Sequence, residues 1–194
     1  MSKLILASGS EARHSMLKNA GFDFDVIPSD VDEQKIKNNF KGKDNFSDLA
    51  QELAYQKAIS AKHANSFVIG SDQLLIFNNE ILSKAKTKEE ARDKLLQLKN
   101  NTHILISSVV VVKDNEIVFS STDHADLTMR DFRDEFLDQY LDKAGDILTK
   151  CVGSYALESY GLQLFSEIKG DYFTILGMPL LPLSNFLQDQ GHGL

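Results

Sequence analysis

The stretch Lys3-Leu4-Ile5-Leu6-Ala7-Ser8-Gly9-Ser10-Glu11-Ala12-Arg13-His14-Ser15-Met16-Leu17 restricts the fold more than any other part of the sequence. Leu4 to Ala7 form an apolar run that predicts a short buried strand. Ser8-Gly9-Ser10 then break the pattern, as small residues do where a chain turns sharply. From Glu11 a helical pattern follows, with Met16, Leu17 and Ala20 on one side and Gly21 placed to end it. Ser10 suits the N-cap, and Glu11 suits the first turn. Such a corner points several free backbone N–H groups at one spot and attracts anions, phosphate above all. The Ser8 and Ser10 hydroxyls could add hydrogen bonds there, and Arg13 could grip phosphate oxygens with its planar fork. The corner matches neither the dinucleotide-binding G-x-G-x-x-G nor the Walker sequence, and taken alone these residues are better read as an ordinary capped helix.

A length of 194 residues suits one domain, or one domain with a sub-lobe, and allows a substantial core. The apolar content of 42% with 25% charged residues is that of a soluble globular chain. No apolar run approaches the ~18 residues of a membrane span, and the start lacks a signal-peptide pattern. Cys151 is the single cysteine, which excludes an internal disulfide and fits a reducing cytoplasm. A net charge of −7 argues against a general nucleic-acid-binding surface. It also means that a phosphorylated substrate needs local cations or a bridging metal.

Residues 22–27 alternate strictly and predict a half-exposed strand. Pro28 to Glu33 form an acidic loop, which alone reads as a solvated turn, and residues 34–46 read as a loop or irregular lid. Ser47 is placed to cap a helix carrying Leu49, Leu53, Ala54, Lys57, Ala58 and Ala61. Phe67 to Gly70 predict a strand that Ser71-Asp72-Gln73 interrupts before Leu74 to Phe77, and Asn78-Asn79 predicts a hairpin return through Glu80 to Lys84. Thr87 and Glu90 have capping-box spacing ahead of a helix with Ala91, Leu95 and Leu98. Thr102–Val112 and Glu116–Ser121 pair about Asp114-Asn115, with Asp126 to Met129 extending the second strand. Phe132, Phe136 and Tyr140 mark a helix that Gly145 stops, as core packing rather than a base-stacking platform. Leu162–Ile168 and Tyr172–Leu176 form a third hairpin about Lys169-Gly170, and a closing helix carries Leu187 ahead of a disordered tail with His192. The sum is α/β with strands outnumbering helices: a mixed, strongly twisted sheet flanked by helices.

Asp72, following Ile69-Gly70-Ser71, either turns the chain or displays a carboxylate at a strand end. Arg13, Lys57 and Lys84 are cations of the kind a triphosphate needs, although surface lysines are commonly only solvated. Cys151 reads as an unreactive thiol and His103 as a structural hydrogen-bonder.

Taken in order, Leu6-Ala7-Ser8-Gly9-Ser10 with Arg13, Asp32-Glu33, Ile69-Gly70-Ser71-Asp72 and Glu80-Ile81-Leu82-Ser83-Lys84 resemble the Maf family of nucleoside triphosphate pyrophosphatases. Thr102-His103, Tyr155, Gly161, Ile168 to Tyr172 and Leu176 to Leu180 continue the resemblance, which spans nearly the whole chain as one domain over 1–194. It implies a fold like that of inosine triphosphate pyrophosphatases, with two lobes about a central cleft. It implies attack of water on the α-phosphate of a nucleoside triphosphate, releasing pyrophosphate and a monophosphate. Asp72 would be the catalytic carboxylate, and Glu33, with Asp32 nearby, would join it in holding Mg2+ or Mn2+. Ser8, Ser10, Arg13, Lys57 and Lys84 would bind phosphates and stabilise the leaving pyrophosphate. The expected partner is the nucleotide, in the cytoplasm, with no nucleic acid and no membrane, and a homodimer is compatible with it.

Departures from the family pattern bear on the base. Glu11-Ala12 replace a Pro-Arg pair before Arg13. Gln73 replaces the Thr common in the branch acting on thymidine and uridine triphosphates, and is not the acid found in the branch acting on 7-methylguanosine triphosphate. Thr149 to Glu158 replace an Asp-Lys-Ala-Gly-x-Tyr-Gly-x-Gln run, with Glu158 where Gln would stand. Ala12, Gln73 and Glu158 are therefore the expected specificity positions. The competing reading is a non-hydrolysing nucleotide-binding regulator of septum formation; the joint presence of Asp72 and Glu33 favours the house-cleaning enzyme.

Overall fold

The computed structural model describes residues 2–41, 45–61 and 63–194. Its strands are β1 (Lys3–Leu6), β2 (Asp25–Val26), β3 (Ser66–Phe77), β4 (Glu80–Leu82), β5 (Thr102–Lys113), β6 (Glu116–Met129) and β7 (Phe165–Lys169). Its helices are α1 (Glu11–Asn19), α2 (Glu33–Asn39), α3 (Phe46–Ser60), α4 (Lys88–Leu98), α5 (Asp134–Ala144), α6 (Ile147–Lys150), α7 (Tyr172–Leu176) and α8 (Leu180–Asp189), with a 3-10 turn at Tyr160–Leu164. The strands form a seven-stranded sheet in the order β2-β1-β3-β5-β6-β7, with β4 paired to β3. β1 runs parallel to β2 and β3, whereas β4 and β7 are antiparallel to their neighbours. The sheet is mixed and flanked by helices, as expected. Among the described residues no helix is long and apolar enough to cross a membrane.

The chain divides into two compact units, one of 1–73, 106–123 and 172–194, the other of 74–105 and 124–171. In the first unit both faces of β1 are buried. Leu4 and Leu6 pack with Met16, Leu17, Ile69, Val109, Leu183 and Leu187. Ile5 and Ala7 pack with Ala54, Ala58, Val68, Val110 and Val112. An interior parallel strand covered on both sides explains why Leu4 to Ala7 is uniformly apolar rather than alternating. The second unit buries Ala91, Leu95 and Leu98 of α4 and Leu137, Tyr140, Leu141 and Ala144 of α5. The β3–β4 hairpin turns through Asn78 and Asn79, both in the left-handed region with φ of 50° and 63°.

The structure corrects several expectations. β3 is continuous through Ser71-Asp72-Gln73. Its polar side chains alternate between faces and each finds a partner, so the backbone ladder has no cause to break. The predicted strand over 22–27 is reduced to Asp25–Val26. The predicted loop over 34–46 contains α2, capped by Asp32, whose Oδ1 accepts the Lys35 N–H at 2.9 Å; its residues 42–44 lie outside the described part. α3 is capped by Asn45 rather than Ser47. Tyr172–Leu176 is helical, not the second arm of a hairpin, and β7 instead pairs with β6. Its aromatic and β-branched residues favour strand, but Gly177 at φ 110° ends a helical turn there, with its N–H on the Phe173 carbonyl. Helices thus number eight against seven strands among the described residues. The His192 ring lies 5.4 Å from that of Phe67, so this part of the tail is packed, not free.

Candidate functional site

Eight of the ten expected site residues lie in the first unit. α1 starts where predicted: the Ser10 side chain accepts the Arg13 N–H at 3.4 Å, and the Ser8 hydroxyl accepts the Ser10 N–H at 3.2 Å. Arg13 turns inward and is buried. Its Nη1 donates to the Ser8 hydroxyl at 3.3 Å and its Nε to the Gly177 carbonyl at 2.9 Å. Burial lowers the pKa of the guanidinium, while the negative charges of Asp72 and Glu33 raise it, so all three share one electrostatic neighbourhood.

Asp72 projects from the middle of β3 and is 4% exposed. Lys57, on α3, places its Nζ 2.5 Å from Asp72 Oδ1 and 2.6 Å from Glu33 Oε1. One ammonium thus holds two carboxylates together that would otherwise repel. Lys37, one turn along α2, adds a longer pairing to Glu33 at 3.7 Å. The approach of α3 to β3 depends on Gly70, which shares the Asp72 face of the strand. A Cβ at Gly70 would lie 2.0 Å from the Ala54 carbonyl oxygen and 2.6 Å from the Ala58 nitrogen. Only a residue without a side chain lets the helix lie close enough for Lys57 to reach.

The opposite face of β3 does different work. The Ser71 hydroxyl donates to the Gly177 carbonyl at 3.0 Å. Gln73 Nε2 lies within hydrogen-bond reach of the Ser107 hydroxyl and the Thr174 and Ile175 carbonyls at 3.0, 3.1 and 2.9 Å. Ser107 donates to the Thr174 carbonyl at 2.7 Å. Helix ends leave carbonyls without intrahelical partners, and here side chains from α1, β3 and β5 satisfy those at the end of α7. Gln73 is therefore bound to α7 through its amide nitrogen, and Arg13 helps cap the same short helix. Neither role has a signature in the linear sequence. No individual role is read from the sequence for Gly70, Ser71, Ser107, Thr174 or Lys37, although the alternation Gly70/Asp72 against Ser71/Gln73 carries the signal once β3 is known to be continuous.

Asp72 Oδ2 is buried and has no hydrogen-bond partner. Buried carboxylate oxygens are seldom left so, and an orphan beside a second carboxylate fits an ion or a polar ligand. No group of three or more His, Cys, Asp or Glu suited to a metal occurs among the described residues. Glu33 and Asp72 are the carboxylates here that could hold a hard cation of the Mg2+ type, which takes one or two carboxylates and completes its shell with water and phosphate oxygens. Asp32 is occupied as the cap of α2. Ala12 is partly exposed on α1, next to Arg13. Lys84 and Glu158 belong to the second unit and are exposed, Lys84 between β4 and α4 and Glu158 in the turn before the 3-10 segment. In that unit His103 Nε2 lies 2.6 Å from the Tyr155 hydroxyl, buried against Phe165, in the structural role expected of it.

A sequence model of the Maf-like protein family matches residues 3–190. The chain is 45% identical over 190 residues to a nucleoside triphosphate pyrophosphatase of Paramagnetospirillum magneticum, covering 96% of this chain and 98% of that protein. It is 42% identical over 193 residues to a protein of the same name from Caulobacter vibrioides, covering 98% and 97%. It is also 39% identical over 192 residues to a 7-methyl-GTP pyrophosphatase of Rhizobium etli, covering 97% and 96%.

Proposed function

The chain belongs to the Maf family, and on that footing we propose that it hydrolyses nucleoside triphosphates to a nucleoside monophosphate and pyrophosphate. The observation that carries the reading is the Glu33–Lys57–Asp72 cluster with its orphaned Asp72 oxygen. A water oxygen attacks the α-phosphorus, the bond from that phosphorus to the bridging oxygen breaks, and the electron pair leaves with pyrophosphate. Asp72 Oδ2 orients the water and takes up its proton. Lys57 holds Asp72 and Glu33 in register. Arg13, already anchored through Nε and Nη1, presents the rest of its fork to phosphate oxygens. Ser8, Ser10 and the start of α1 add neutral donors. A divalent cation on Glu33 and Asp72, when bound, would draw charge from the phosphates and the leaving group. Lys84 and Glu158 keep the roles that the family resemblance gives them, on phosphate and on base.

Relatives named for general and for 7-methyl-GTP pyrophosphatase activity match at similar identity, so the base is assigned from single positions. Ionised Glu158 only accepts hydrogen bonds, which suits the N–H groups of a guanine or modified guanine better than a pyrimidine carbonyl. The site cations are gathered locally within a chain of net charge −7, and the reading includes a cytoplasmic house-cleaning role. The test is pyrophosphate release from a panel of canonical and modified triphosphates with Mg2+, with Mn2+ and with chelator. Release that needs metal and stops in Asp72→Asn is the expected result. Tight binding without turnover on any member would instead favour the non-hydrolysing regulator.

A further inference from the structure

Lys94 lies in the buried stripe of α4 with Ala91, Leu95 and Leu98, a place where an apolar residue would pack. Burying an ammonium is unfavourable unless its donors are used. They are: Nζ donates to the Ser83 carbonyl at 2.5 Å and to the Val152 carbonyl at 2.8 Å. Both acceptors sit in segments without strand or α-helix. The Val152 turn is itself held by its neighbours. Gly153 has no room for a side chain against the Tyr155 ring. Ser154 stands at φ 58° with its carbonyl held by the Tyr140 hydroxyl at 2.9 Å, and Tyr155 is pinned by His103.

Ser83 directly precedes Lys84. On the other side of Lys84, the Lys86 N–H donates to Glu90 Oε2 at 2.7 Å. Lys94 and Glu90 are one turn apart on α4, so a single helix face grips the segment from both ends with exposed Lys84 between. We propose that Lys94 and Glu90 are positioning residues that hold the Lys84 segment in its binding conformation and thereby lower KM for the triphosphate, an inference that rests on the phosphate-binding role given to Lys84. Burial pushes the Lys94 pKa down to about 8, opposed by the charge of Glu90, which leaves the ammonium mostly protonated at neutral pH.

The experiment compares kcat and KM for one good triphosphate in Lys94→Met, Glu90→Ala, Lys84→Ala and the Lys94→Met/Lys84→Ala double variant. Lys94→Met is expected to raise KM by about tenfold, the scale of one lost charge-assisted hydrogen bond, with kcat within about twofold. Glu90→Ala, an exposed site that leaves the core untouched, is expected to raise KM by about threefold, also without a kcat change. The double variant should match Lys84→Ala alone, because a loosened segment cannot matter once its cation is gone. Unchanged KM in Lys94→Met, or in Glu90→Ala should the first not fold, overturns the proposal, as does a multiplicative double variant. If Lys84→Ala itself leaves KM unchanged, the role of Lys84 has failed; if Lys84→Ala raises KM while Lys94→Met does not, the clamp alone has failed.

Discussion

Two buried polar clusters, one in each unit, use opposite electrostatic strategies. Around Asp72, charge meets charge: Lys57 lies between two carboxylates, Arg13 stands in their field, and one carboxylate oxygen is left open. Around Tyr155, the groups are kept neutral. Burial lowers the His103 pKa to about 4 and raises that of Tyr155 well above its ordinary value, and the two rings bond to each other. Both clusters leave buried atoms unpaired, Asp72 Oδ2 in the first and His103 Nδ1 and the Ser154 hydroxyl in the second. The second is turned inward, with the Tyr140 hydroxyl on the Ser154 carbonyl. Neither buried polarity nor an unpaired atom therefore locates chemistry by itself; the first cluster differs in that its unpaired atom is a carboxylate oxygen beside paired charges.

The sharpest way to break this contrast is Asp72→Asn. It should lower kcat by roughly 10²–10⁴-fold while nucleotide binding and the thermal midpoint change little, measured by steady-state kinetics and calorimetry. A variant retaining half its turnover would put the two clusters on the same footing.

The neutral cluster should respond to pH through stability instead. The folded pKa of His103 lies below its unfolded value near 6.5, so the unfolded chain binds more protons between about 6.5 and 4. The contribution of His103 is whole above pH 6.5 and is lost as pH falls toward 4, on the order of 3 kcal/mol in all. Denaturant titrations of the wild type and of His103→Phe should differ in slope over that window. Turnover of the folded variant at neutral pH should stay within about twofold, since His103 touches no reacting group in this reading.

Arg13→Ala tests whether a residue can belong to both kinds of cluster. It should weaken triphosphate binding by roughly tenfold and monophosphate binding less, the scale of one lost charge-assisted contact. It should also lower stability by about 1–3 kcal/mol, because the Gly177 carbonyl loses a donor. Equal losses for both nucleotides would reduce Arg13 to its capping role.

The smallest effect belongs to Glu158→Gln. The ratio of kcat/KM for uridine or thymidine triphosphate against guanosine or methylguanosine triphosphate should rise by a few-fold, up to the 1–3 kcal/mol of a relieved acceptor–acceptor mismatch. A fixed ratio would leave Glu158 a solvated carboxylate.

Much of this was legible in the sequence because it depends on local chemistry. The Ser10 cap, the paired Asn78-Asn79 and Asp114-Asn115 turns, and the Gly145 stop are each set by one or two residues and occur as expected. The misreadings fall where tertiary contacts override local preference. Ser71-Asp72-Gln73 looked like a break because three polar residues rarely sit inside a strand. Their partners come from residues as far away as Gly177 and Thr174, which no local window contains. Tyr172–Leu176 looked like a strand, but its Thr174 and Ile175 carbonyls are taken by Gln73, and that of Gly177 just beyond it by Ser71 and Arg13. The residue types of the Asp72 cluster were visible in advance; that Gln73 faces away from Asp72 was not, since it required knowing that the strand does not stop.

The missing side chain at Gly70 gives the first unit the character of a gauge block. The spacing of α3 and β3 is set by direct backbone contact with no side-chain layer between them, so the reach of Lys57 is fixed by backbone atoms. A side chain added there would press on the backbone of α3, lift the helix and carry the ammonium off both carboxylates at once. Positions 58 and 70 thereby share one mechanical tolerance, since a Cβ at 70 would meet both the backbone and the side chain of Ala58.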